Sequence, residues 1–134
     1  MRTKFLVVMV AAVLLASAGR ALAHHSFSAE FDATKTFKMT GTVTKVEWMN
    51  PHTFFYIDVV DEKTKKVTNW AMEMGSPNGL MRQGWTRNTM KAGDAVTVEG
   101  SLAKDGSPTG NARSVVMVKT GQRLFAASSQ GTTP

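Results

Sequence analysis

The sequence predicts a mainly β domain: a five-stranded OB-fold-like Greek-key barrel with one short helix between strands 3 and 4. A small β-sandwich is the alternative. Three observations predict this. Short runs rich in Val, Thr, Ile and aromatic residues recur between turn signals. A segment opening on Ser76-Pro77, a favourable helix start, interrupts them. Three runs precede that segment and two follow it, which is the strand order of an OB-fold.

Taken in order, residues 1–23 read as a cleaved secretory signal. "MRTK" is positively charged, "FLVVMVAAVLLASAG" is an apolar core of signal length, and "ALA" ends the segment with small residues. The apolar run is short for a membrane span, which takes roughly 20 residues. Cleavage after Ala23 makes His24 the first residue of the mature chain; cleavage after Ala21 is the competing site. Residues 24–36 carry no steady period and read as an N-terminal arm. The barrel domain is expected over 37–125, and 126–134, "AASSQGTTP", as a disordered tail.

The first strand is expected over 37–48, with Gly41 marking a bend or bulge. In the second, over 52–61, Thr53, Phe55, Ile57 and Val59 fall on one face and His52, Phe54, Tyr56 and Asp58 on the other. "EKTKK" is a charged hairpin connection. The third, over 67–75, places Trp70, Met72 and Met74 on one side. Gly79 and Gly84 keep the helix short. The fourth strand runs over 95–102 and the fifth over 111–120.

Charge and composition narrow the function. The 134 residues hold 16 Lys and Arg against 10 Asp and Glu. Arg2, Lys4 and Arg20 leave with the signal, so thirteen basic residues then face ten acidic ones and no basic stripe remains. That argues against nucleic-acid binding. The chain has no cysteine, so an exported form holds together through its core rather than through disulfides. Without a cysteine nucleophile, a G-x-S-x-G elbow or an H-E-x-x-H helix, a non-enzymatic binding protein is expected. The location that follows is periplasmic or secreted, with no membrane span once the signal is removed.

The chain has three histidines, His24, His25 and His52. A mature N-terminal His24 offers an α-amine and an imidazole together, a chelating pair for Cu(II). His52, or His25 through the terminal amine and an intervening amide, completes the set. Copper suits such nitrogen donors and heads the affinity order of divalent first-row metals. The metal reading is therefore copper at His24, His25 and His52. The alternative is a cell-envelope module that binds a protein or glycan, with no metal, through aromatic residues on the barrel face. Trp48, Phe54, Tyr56 and Trp85 are the stacking candidates, with closure of the barrel ends as the competing role for Trp48 and Trp85.

The stretches "HHSFSAEFD", "GTVTKVEWMNPH", "NWAMEMGSPNGLMRQGW", "KAGDAVTVEG" and "DGSPTGNARSV" resemble a family of small exported bacterial proteins of unknown function. The resemblance spans about residues 24–125 and implies export and a single β domain. Over a shorter stretch, "NWAMEMG" is similar to the Trp and Met-x-Met strand of CusF-type periplasmic copper chaperones. That resemblance implies Met72 and Met74 as ligands of a soft monovalent metal, Trp70 as a capping ring and His52 as the imidazole. The spacing departs from that family's pattern: one residue, not two, separates Trp70 from Met72. Alternating methionines on a strand are more often core than ligands, and Trp70 on the same face favours an apolar core stripe.

Overall fold

The computed structural model describes residues 27–127. Residues 1–26, including the expected signal and both His24 and His25, lie outside the described residues, as do residues 128–134. A helical turn over 27–30 leads into β1 (Phe31–Glu47), followed by β2 (Phe54–Val60), β3 (Val67–Glu73), helix α1 (Pro77–Arg82), β4 (Ala95–Ala103), β5 (Thr109–Met117) and β6 (Arg123–Phe125). The protein is thus mainly β, with a short helix between β3 and β4.

All six strands belong to one sheet, ordered β3-β2-β1-β4-β5-β6, rather than to the two sheets of a sandwich. Neighbours in that order are antiparallel. In addition β3 meets β5 in parallel, with Ala71, Met72 and Glu73 opposite Thr109, Gly110 and Asn111. The sixth strand was not expected. It is only three residues long, too short to show a period.

β1 begins at Phe31, six residues before the expected start, so much of the segment read as an arm is strand. A register shift between Asp32 and Thr36 hides its period. There the Asp32 carboxylate accepts from the Thr34 amide at 2.9 Å and from the Thr34 hydroxyl at 2.6 Å. Such local side-chain bonds compete with the ladder. Against β2, the irregularity falls between Val43 and Lys45, not at Gly41. Gly41 has another reason to be glycine: a Cβ there would sit 2.6 Å from the Asp58 carbonyl oxygen.

The alternation of β2 places Thr53, Phe55 and Ile57 inward, each with no exposed surface. Val43, Met72, Met74, Val96, Val98 and Val115 meet them in one core. Ser76 caps α1 by accepting from the Gly79 amide at 3.2 Å, Pro77 takes the first turn, and Leu80 is buried. Trp85 follows the helix and is 2% exposed, with its indole N–H donating to the Phe125 carbonyl at 2.7 Å. That bond seats β6. Ala126 and Ala127, expected in the tail, are buried instead. The Ala126 amide donates to the Arg113 carbonyl, and its own carbonyl accepts from Gly75.

Candidate functional site

His52 lies in the connection between β1 and β2, and Glu73 ends β3. Two backbone bonds join these segments: the Thr53 amide donates to the Gly75 carbonyl at 3.0 Å, and the Met74 amide to the Thr53 carbonyl at 2.8 Å. They bring His52 beside Glu73. Strand alternation decides the rest. Met72 and Met74 point into the core, so Glu73 between them faces the other way, opposite Phe54 in the register. On that face His52 Nδ1 stands 2.6 Å from Glu73 Oε1.

Glu73 is only 8% exposed. Burial pushes its carboxyl above the ordinary carboxylate range, the His52 charge pulls the other way, and repulsion from Glu30 raises it further. Glu30 belongs to the helical turn 27–30, so the turn's carboxylate acts on the same spot. The His52 side chain keeps 26% of its surface exposed, and its Nε2 has no hydrogen-bond partner among the described residues. An imidazole held at Nδ1 and open at Nε2 can ligate a metal or accept a proton. Among the described residues, no three His, Asp or Glu side chains are grouped to hold a metal by themselves.

A second group occupies the outer face nearby. The Tyr56 hydroxyl donates to Glu47 Oε2 at 3.1 Å, and Lys45 pairs with Glu47 while its ammonium lies 5.5 Å from the Tyr56 ring centroid. The hydrogen bond from Lys45, then that from Tyr56, holds the Glu47 carboxyl below its usual range. Burial, then Glu47, raises the Tyr56 phenol. Further along the same strands, Asn69 donates to Asp58 at 2.8 Å and to Thr44 at 3.2 Å. A separate cavity of about 480 Å³ opens beside Glu30, lined by Ala29, Phe31, Ala103, Lys104 and Thr109 among others.

The residues singled out from the sequence are thus divided. Trp70, Met72 and Met74 do share a face, but it is the core face. Both methionines are fully buried, and Trp70 packs against the core and against Phe37, with ring centroids 6.4 Å apart. Met72 sulfur lies so close over Gly110 that a Cβ there would approach it to 3.1 Å. His52 is bonded on the outer side, so the structure does not bring together the four residues implied by the chaperone resemblance. Trp48 and Trp85 also pack on the core, leaving Phe54 and Tyr56 as half-buried aromatics of the outer face. His24 and His25 lie outside the described residues.

Glu73 and Glu30 were missed. The signal for Glu73 was its place between two inward methionines, which forces it outward; its meeting with His52 needed the register. Among the described residues no helix is long and apolar enough to cross a membrane. Residues 11–113 match the model of a family of unknown function, DUF6152. No curated protein matches the chain.

Proposed function

Since the chain belongs to DUF6152, a family of unknown function, its role follows only from its own side chains, and we propose that it is an exported, non-enzymatic protein that binds copper. In this reading the signal is cleaved after Ala23 and the protein works in the periplasm or outside the cell. The amine and imidazole of His24 chelate Cu(II), and His52 supplies a further nitrogen. His25 is the competing third donor.

The observation that carries the reading is the His52–Glu73 pair, with Nδ1 2.6 Å from Oε1 and the His52 side chain 26% exposed. Glu30, in the turn that follows the expected mature N-terminus, acts on the same carboxyl. His24 is three positions before the helical turn over 27–30, a reach of at most about 11 Å when extended. The donors this reading invokes, imidazole and amine nitrogens, suit divalent copper. The Met72 and Met74 thioethers, which would suit monovalent copper, are buried in the core. We read the domain itself as an OB-type barrel with β6 appended. The circuit of pairings β1–β2–β3–β5–β4–β1 and the helix between β3 and β4 support this.

The test is Cu(II) titration, followed by EPR, of protein exported and processed through its own signal. Nitrogen coupling that is lost in His24→Ala and altered in His52→Ala is the expected result. A spectrum without nitrogen coupling, or one unchanged by His24→Ala, contradicts the reading. The second reading, an envelope module for a protein or glycan, is favoured by one feature: Phe54 and Tyr56 lie beside the Asn69–Asp58–Thr44 network on one outer face. Under it, partner binding survives His24→Ala and His52→Ala but fails in Phe54→Ala.

A further inference from the structure

The Glu73 carboxylate stands out because burying an acid is costly unless it is paired. Its partner is His52, whose Nδ1 stands 2.6 Å from Oε1 on the outward side of β3. A glutamine or an apolar residue would fit the end of a strand at less cost. What the carboxylate adds is orientation. Accepting from Nδ1–H fixes the His52 ring and its tautomer and leaves the lone pair on Nε2, in a side chain that is 26% exposed. Histidine ligands of metals commonly have such a carboxylate behind them, which also makes the ligating nitrogen more basic.

We infer that Glu73 is a positioning residue that presents His52 Nε2 to the metal. This rests on the copper reading above. It assigns Glu73 no direct contact with the ion.

Two measurements test it. The first is the tautomer of His52 in the metal-free protein, read from long-range ¹⁵N–¹H couplings at a pH where the ring is neutral. Wild type is expected to carry the proton on Nδ1, and Glu73→Met to shift it to Nε2. The second is Cu(II) affinity. Glu73→Met is expected to bind roughly 10- to 100-fold more weakly, with changed copper–nitrogen coupling, and Glu73→Gln, which keeps the shape and a weaker acceptor, to fall between. Should Glu73→Met not fold, the wild-type tautomer and the Glu73→Gln affinity still decide. A wild-type His52 protonated on Nε2, or copper affinity unchanged in both variants, overturns the assignment. Wild type that binds no Cu(II), with Nδ1 protonated, overturns the copper reading instead and takes the metal role of Glu73 with it.

Discussion

Replacing Trp85 by Phe tests how the C-terminal segment is held. The indole N–H bond to the Phe125 carbonyl, 2.7 Å long, is the side-chain link from the α1 region to β6. Losing it removes about 1 kcal/mol. The missing ring atoms leave a void of roughly 40 Å³ at a site 2% exposed, which at about 24 cal/mol per Å³ adds about 1 kcal/mol. The sum is about 2 kcal/mol, a fall in Tm of about 8–16 °C for a domain of this size. Urea unfolding measures the first and a thermal scan the second. Amide exchange locates the effect: the Gly75 and Ala126 N–H groups, which bond across this junction, should lose protection before the β1–β4 ladder does. A loss under about 0.5 kcal/mol, or uniform loss of protection, would refute the stapling role of Trp85.

Four other outcomes are expected. Met72→Leu and Met74→Leu conserve volume in the core and should each cost less than about 1.5 kcal/mol while leaving Cu(I) affinity unchanged; a fall in that affinity would restore the thioethers as ligands. Gly100→Ala should prevent folding or cost several kcal/mol in urea unfolding, since a Cβ would lie 1.9 Å from the Asn111 carbonyl oxygen. Thr53→Val should stabilise by about 1 kcal/mol, because the Thr53 hydroxyl is buried with no hydrogen-bond partner among the described residues; destabilisation would mean the hydroxyl is satisfied. Glu73 sets a pH trend. Its folded carboxyl is raised above the ordinary 4.5, so the unfolded chain loses that proton first as pH rises. Stability should fall as pH climbs from about 4.5 through the folded value, and Glu73→Gln should lack this component of the decline.

Part of this architecture was legible in residue order because it depends on local period. The inward set Thr53, Phe55 and Ile57 followed from alternation alone, and Ser76-Pro77 marked the helix start. Two features were not legible for opposite reasons. Asp32 and Thr34 bond each other and interrupt β1, so its first residues look aperiodic although they pair with β4. Ala126 and Ala127 carry too little side chain to signal burial, and the hydrogen bonds of Ala126 to Arg113 and Gly75 tie this segment down. The site divides in the same way. His52 stood out as one of three histidines, whereas its meeting with Glu73 depends on how the β1–β2 connection closes on the end of β3. The face shared by Trp70, Met72 and Met74 was legible; that it is the inner face emerged only from packing.

The central claim is that His24 binds copper through its own terminal amine, and blocking that amine isolates it. Selective acetylation of the α-amine, which titrates well below the lysine amines, keeps every side chain and removes that nitrogen from the chelate. Cu(II) affinity of the natively processed protein, with and without the acetyl group, is the measurement. The account predicts a loss at least as large as the roughly 10- to 100-fold typical of losing an outer hydrogen-bond partner of a ligand, with altered nitrogen coupling. Equal affinity and an unchanged spectrum would contradict it.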